Sequence, residues 1–148
     1  MKLDNFYLVE FDWHSSEHVD VIRRISSKYL GDISYMVDRI NLRKEEDFFH
    51  NKFYIAYYND RPIGFISITH KDFGYEISSG LVPEERGYYL GPMLLQEFSE
   101  EIFRVMPEIH QLVLKISSTN VKGQKSAIRA GYEPSKSDNE MFVQRRIK

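Results

Sequence analysis

Two neighbouring segments are apolar on both faces, and this feature limits the possible folds most. Residues 52–58 read KFYIAYY and residues 62–69 read PIGFISIT, so apolar or aromatic side chains occur at odd and even positions alike. Strands buried on both faces occur where helices cover both sides of a sheet. Between them, Asn59, Asp60 and Arg61 make a short polar connection, in which Asn or Asp can adopt left-handed backbone angles. We therefore expect an antiparallel hairpin inside a layered α/β domain.

The other segments alternate between strand and helix patterns. Strands are predicted for residues 6–11, 74–82, 111–117 and 140–148. Apolar side chains at helical spacing predict helices for residues 15–31, 33–40, 92–107 and 123–130. The predicted order is β-α-α-β-β-β-α-β-α-β, in one α/β domain over residues 1–148 with a mixed sheet flanked by helices.

Composition excludes several classes of protein. The 148 residues include no cysteine, which rules out disulfides, thiolate zinc sites and a cysteine nucleophile. A formal net charge of −2 argues against general nucleic-acid binding, which needs a basic face. No export signal and no apolar run of about 20 residues is present, so we expect a cytoplasmic protein without a membrane span. His14 and His18 are four residues apart but lack the glutamate of a zinc-protease motif, and no metal site is predicted.

The segment LVPEERGYYLGPMLL, residues 81–95, predicts an anion site. It reads as a strand, a glycine-containing turn and the start of a helix. The first N–H groups of a helix have no internal partner and carry the positive end of its dipole, so they can hold a phosphate. Glycine lets the main chain approach a ligand closely. The alternative is that Gly87 and Gly91 only form a strand-to-helix turn.

This segment resembles the signature of the GNAT superfamily of acyl-CoA N-acetyltransferases, Arg/Gln-x-x-Gly-x-Gly/Ala before the main helix. The residues in register are Pro83, Arg86, Gly87 and Gly91. A second family signature, an Asn followed eleven residues later by Gly and an aromatic, is similar to Asn120, Gly131 and Tyr132, with Arg129 where a basic residue is usual. The resemblance covers residues 54–148 and, less closely, the N-terminal third.

The resemblance implies a GNAT-like, mostly antiparallel sheet and an acetyl-CoA-dependent N-acetyltransferase, with acetyl-CoA or CoA as co-substrate and no metal. It implies an acceptor that is a small-molecule amine or a protein N-terminus, and it is compatible with a homodimer. In the family, the strand before the loop separates from its neighbour and its main chain binds pantetheine, while the loop and the next helix bind phosphates. The positions that match are Leu81, Val82, Arg86, Gly87, Tyr88, Tyr89, Leu90, Gly91, Pro92, Asn120, Lys122 and Lys125.

Two positions depart from the family pattern. Tyr89 replaces the first glycine of the Gly-x-Gly/Ala pair, and it can present its N–H if its φ is negative and its ring turns outward, whereas a positive φ would be strained. Ala127 stands where many members have the Tyr that protonates the leaving thiolate. Tyr132 is expected to pack in the core instead, so the general acid is unassigned. Asn120 has an alternative as a helix N-cap, and Lys122 and Lys125 as a solvated basic face.

Glu76 is the candidate general base. Alternation along its strand places Glu76, Ser78 and Gly80 on one face, and a carboxylate on a central strand is otherwise costly to bury. A solvated or salt-bridged structural carboxylate is the alternative. The two departures also motivate a second function, a non-catalytic acyl-CoA-binding sensor or interaction module.

Overall fold

The computed structural model describes residues 2–3, 5–26, 51–87 and 89–145. Its strands are β1 (Lys2–Leu3), β2 (Phe6–Glu10), β3 (Asn51–Tyr58), β4 (Arg61–Lys71), β5 (Gly74–Leu81), β6 (Gln111–Lys115), β7 (Glu133–Pro134) and β8 (Met141–Arg145). Its helices are α1 (Ser16–Ser26), α2 (Leu90–Val105) and α3 (Val121–Arg129), with a 3-10 turn at Pro83–Glu85. None of the helices in these ranges is long and apolar enough to cross a membrane.

The strands of the described ranges form one sheet in the order β1-β2-β3-β4-β5-β6-β8-β7. Every neighbouring pair is antiparallel except β5 and β6, which are parallel. The predicted mixed, mostly antiparallel sheet is confirmed. β1 and β7 were not predicted, because two residues are too few to show a period. The predicted helix at 33–40 and the predicted end of the first helix lie outside the described residues, as do residues 146–148.

The hairpin of β3 and β4 closes in a two-residue turn. Tyr58 pairs with Arg61, and Asn59 and Asp60 between them have φ of 51° and 64°. Both central residues of such a turn need positive φ, which Asn and Asp tolerate better than other side chains. The predicted hairpin is confirmed, with Arg61 in the strand rather than in the connection.

Each face of the sheet has its own apolar cluster. On one face, α1 packs onto β3 and β4; the buried residues are Val21, Ile22, Ile25, Phe53, Ile55, Tyr57, Phe65 and Val82. On the other face, α2 and α3 cover the sheet; the buried residues include Ile66, Ile77, Leu94, Leu95, Phe98, Ile102, Leu112 and Ala127. This arrangement explains why the central strands are apolar at consecutive positions.

Two helices begin earlier than their sequences predicted. α2 begins at Leu90, so Pro92 lies inside its first turn, where a missing N–H costs little. α3 begins at Val121 because Asn120 caps it. α3 ends as predicted at Gly131, whose φ is 94°, and the N–H of Tyr132 donates back to the carbonyl of Ala127 at 2.9 Å.

Candidate active site

Strands β5 and β6 separate near the middle of the sheet. They pair at two positions only, Tyr75 with Leu112 and Glu76 with Val113. β5 continues along β4 as far as Leu81, while β6 stays paired with β8. Beyond Glu76 the two strands therefore leave a gap lined by the main chain of β5.

The ladder between β4 and β5 determines which main-chain groups of β5 point into this gap. The N–H of Val82 donates to the carbonyl of Ile63 at 2.8 Å, in the same register as the rest of the ladder. Along an antiparallel pair, hydrogen-bonded and non-hydrogen-bonded positions alternate. Val82 and every second residue before it therefore direct their main-chain groups to β4. Ser79 and Leu81 direct theirs to the opposite side, into the gap.

This alternation changes the set of main-chain donors that the sequence predicted. Both main-chain groups of Val82 are used inside the protein, since its carbonyl also accepts from the N–H of Glu85 at 3.0 Å. The main-chain groups of Leu81 therefore face the gap, whereas those of Val82 do not. Ser79 was missed, because the direction of an N–H depends on strand register, which the sequence does not reveal.

The 3-10 turn that follows β5 is held by two ion pairs. Glu85 accepts from Nε of Arg61 at 3.1 Å and from its Nη2 at 3.3 Å. Glu84 forms an ion pair with Arg24 of α1. Arg86 comes next, half-buried, and its N–H donates to the carbonyl of Pro83 at 3.3 Å. The turn thus connects the start of β4 and α1 to the loop before α2.

The loop ends at the uncapped N-terminus of α2. Gly87 has a φ of 88°, which glycine adopts without strain, and Tyr88 lies outside the described residues. The first intrahelical bond of α2 runs from Met93 N–H to the carbonyl of Tyr89, so the N–H groups of Leu90 and Gly91 precede it. No side chain caps this end. A Cβ at Gly91 would lie 3.6 Å from Cδ1 of Leu81, so the donors of α2 lie beside the open end of β5.

Tyr89 occupies the left-handed region, with φ 61° and ψ 12°. The condition of a negative φ is therefore not met, although the ring does turn outward, with 61% of the residue exposed. The guanidinium carbon of Arg129, at the end of α3, lies 4.5 Å from the ring centroid, within cation–π distance. This contact supplies a partner for a side chain at an unfavourable backbone position.

Asn120 caps α3 through its side-chain oxygen, which accepts from the N–H of Gly123 at 2.9 Å. Asn120 is therefore a helix N-cap, which was the alternative to a cofactor role, and the cap uses the oxygen of its amide. The residue is exposed, as are Lys122 and Lys125 on the helix that it caps. Lys122, Lys125 and Arg129 fall on one stripe of α3 by their spacing of three and four residues.

Glu76 lies at the point where β5 and β6 part. Ile77 is buried under α2, so alternation directs Glu76 and Ser78 to the face of α1. Its neighbours across the ladder on that face are polar too, since Glu76 pairs with Thr69, and Ser78 pairs with the buried Ser67. The shared face predicted for Glu76 and Ser78 is confirmed.

Tyr132 is a core residue. Its side chain is 1% exposed, and its hydroxyl lies 2.7 Å from Oγ of Ser99. The hydroxyl of Ser99 donates its one proton to the carbonyl of Leu95, so Tyr132 is the donor to Ser99. Burial raises the pKa of Tyr132. Ala127 is fully buried as well, which leaves neither residue in contact with solvent.

Of the two histidines that lie four residues apart in the sequence, His18 bonds to the main chain within the protein. His18 is buried, and its Nδ1 accepts from the N–H of Asp12 at 3.0 Å. Burial lowers the pKa of His18, which favours the neutral ring. Among the described residues, no group of three or more His, Asp or Glu side chains is placed to hold a metal ion.

Comparisons with known proteins identify one family and one fold. The family model described as acetyltransferase (GNAT) family matches residues 19–132. No curated protein is significantly similar to the chain. The fold is similar to that of the aminoglycoside acetyltransferase AAC(6')-Ib in complex with coenzyme A and kanamycin, with a TM-score of 0.74 and 19% identity over 95% of each chain.

Two further solved structures have the same fold. The N-acetyltransferase PseH of Campylobacter jejuni, in complex with acetyl coenzyme A, has a TM-score of 0.66 and 16% identity over 93% of this chain and 95% of that one. The microcin C7 self-immunity acetyltransferase MccE, in complex with acetyl-CoA and AMP, has a TM-score of 0.67 and 15% identity over 97% and 93%. At these identities the likeness concerns the fold.

Proposed function

The chain belongs to the acetyltransferase (GNAT) family of acetyl-CoA-dependent enzymes, and we propose that it moves the acetyl group of acetyl-CoA to a primary amine by direct attack, as one catalytic domain. The observation that carries this proposal is the gap between β5 and β6, which opens next to the uncapped N-terminus of α2. Main-chain donors of two kinds thereby meet at one place, those of a strand edge and those of a helix start.

The donor set at α2 fits the phosphates of CoA. The N–H groups of Leu90 and Gly91 point out of a helix start that carries the positive end of the helix dipole. Pro92 contributes no donor, but it sets the helical φ of the turn. Lys122 and Lys125, exposed on α3, add positive charge, while the amide nitrogen of Asn120 is the donor left over from its cap. We assign Arg86 and Gly87 to the shape of the loop that leads to these donors.

The main chain of β5 fits the thioester arm. The N–H groups of Leu81 and Ser79 both point into the gap, with Ser79 nearer its closed end. Attack by an amine builds negative charge on the thioester oxygen, and fixed N–H donors stabilise that charge without reorganising. We propose Leu81 as a donor to the arm and Ser79 as the donor nearest the reacting carbonyl.

Glu76 completes the reaction as the proton acceptor. The amine nitrogen attacks the carbonyl carbon, a C–N bond forms and the C–S bond breaks. The proton of the amine passes to the Glu76 carboxylate, directly or through one water, and solvent protonates the CoA thiolate. The strand rise of about 3.3 Å per residue puts Glu76 about 10 Å of chain from Ser79, on the face where α1 packs.

The acceptor is proposed as an amine on a small molecule or at a protein N-terminus. The structure with kanamycin concerns a different enzyme of the same fold, so kanamycin is one member of a test panel rather than the expected substrate. A polyamine, a free amino acid and a peptide with a free N-terminus complete the panel.

The test measures CoA release from acetyl-CoA with each amine in turn, using a reagent that detects the free thiol of CoA. We expect release that depends on the amine, together with a product heavier by one acetyl group in mass spectrometry. We also expect millimolar acetyl-CoA to raise the melting temperature by mass action. A melting shift without release for any amine would favour the acyl-CoA-binding sensor, and no shift at all would contradict both functions.

A further inference from the structure

Tyr89 is an exposed aromatic residue next to the proposed phosphate donors. Its ring projects from the residue that precedes Leu90 and Gly91, and 61% of the residue is exposed. Arg129 lies 4.5 Å from the ring centroid. Since one guanidinium can cover one face of a ring, the exposed area includes the opposite face. An exposed flat aromatic face beside a phosphate site is what a nucleobase stacks on.

The position of α3 indicates which part of CoA comes near this ring. α3 is capped by Asn120, at the end of the loop that follows β6, and it ends at Arg129, which contacts Tyr89. With a rise of 1.5 Å per residue, these two residues are about 13 Å apart along the helix. The Asn120 end follows β6, which borders the gap where the thioester arm belongs. The Arg129 end contacts Tyr89, the residue before α2, where the nucleotide half of CoA belongs.

We propose that the ring of Tyr89 is the stacking platform for the adenine base of CoA, and that Arg129 is a positioning residue that holds the ring. This inference rests on the proposed function, since it assumes CoA phosphates at the start of α2. It gives Tyr89 a reason to occupy a left-handed backbone position that glycine would adopt without strain. Glycine there would offer the same N–H but no platform.

Titration calorimetry with three probes tests the platform: CoA, dephospho-CoA and 4′-phosphopantetheine, which lacks the adenosine. Tyr89→Gly removes the ring and suits the left-handed backbone, so the variant should fold. We expect it to bind CoA and dephospho-CoA about tenfold more weakly, as for the loss of one base-stacking contact, and to bind 4′-phosphopantetheine like the wild type. Tyr89→Phe, which keeps the ring, should bind all three probes like the wild type.

Arg129→Gln tests the positioning role. We expect a loss of CoA affinity smaller than that of Tyr89→Gly, about threefold, and no further loss when Arg129→Gln is added to Tyr89→Gly. An equal loss with and without the ring would show that Arg129 acts on the ligand directly and would overturn its positioning role.

Three results would overturn the platform itself. Equal weakening of all three probes in Tyr89→Gly would mean that the ring shapes the loop instead of contacting adenine. Unchanged CoA binding in that variant would mean that the ring contacts nothing, and the proposed function would stand. No CoA binding by the wild-type chain would overturn the proposed function together with this inference.

Discussion

The main chain of Gly80 in β5 touches Gly64 of β4 so closely that no side chain fits between them. A Cβ on Gly64 would lie 2.0 Å from the carbonyl oxygen of Gly80 and 3.0 Å from Cα of Leu81. Both contacts are with backbone, which cannot move aside as a flexible side chain can. This close contact lies near the start of β4 and the end of β5, beside the proposed donors Ser79 and Leu81.

Gly64→Ala should therefore push β5 away from β4, on the side of β5 opposite the gap. We expect the free energy of unfolding to fall by about 1–3 kcal/mol, the usual cost of forcing a group into a packed site. Urea denaturation measures it. Gly91→Ala is the control for stability, because its Cβ would meet only Cδ1 of Leu81, at 3.6 Å, and alanine suits a helix better than glycine. Equal stability of the two variants would contradict the assigned contact.

Two substitutions separate the helix cap made by Asn120 from its proposed role in CoA binding. Asn120→Ala removes the cap to Gly123 and should cost about 1 kcal/mol of stability. Asn120→Asp keeps an oxygen for the cap but loses the amide N–H₂. If the amide binds the pantetheine arm, the Asp variant should melt like the wild type and bind CoA more weakly. Normal CoA binding by the Asp variant would leave Asn120 as a cap only.

Removing the hydroxyl of Ser99 should destabilise the protein more than removing the hydroxyl of Tyr132. Ser99→Ala leaves the buried hydroxyl of Tyr132 without an acceptor and should cost about 1–3 kcal/mol, whereas Tyr132→Phe removes one hydrogen bond and should cost about 1 kcal/mol. The double variant should recover part of the loss of Ser99→Ala. Tyr132→Phe should also keep its turnover, and a large loss of turnover would return Tyr132 to consideration as the general acid.

His18 should make stability depend on pH. Its pKa is lowered in the folded protein from an ordinary value of 6.5, mainly by burial. The unfolded chain therefore binds the proton more readily, so stability is complete above about pH 6.5 and is lost as the pH falls through the lower, folded pKa. Unfolding free energies between pH 5 and 8 measure this. His18→Asn keeps an acceptor for the N–H of Asp12 without titrating, and it should flatten the slope; an unchanged slope would assign the pH dependence to other groups.

The sequence predicted what depends on local pattern. Apolar residues on both faces of 52–58 predicted a sheet covered on both sides, and the glycine segment predicted the helix start at which we propose the site. It did not predict what depends on strand register or on contacts between distant residues. The hydrogen bond from Val82 to Ile63 and the direction of the main-chain N–H of Ser79 both depend on the register of the β4–β5 ladder. The contact of Tyr89 with Arg129 joins residues that are far apart in sequence, and it accompanies a backbone angle that tyrosine rarely adopts.

Turnover of Glu76→Gln tests most directly the central claim, that Glu76 accepts the proton of an amine acetylated in the gap between β5 and β6. The variant keeps the shape of the side chain and loses its basic oxygen, so we expect kcat at neutral pH to fall by about 10²-fold or more, with a smaller loss as the pH nears the pKa of the acceptor amine. CoA affinity should barely change, since the proposed CoA donors lie on β5, α2 and α3. Glu101→Gln, a change on α2 at a carboxylate paired with Arg104, is the control and should retain wild-type turnover. Full activity of Glu76→Gln at neutral pH would contradict the account and reduce Glu76 to a structural carboxylate.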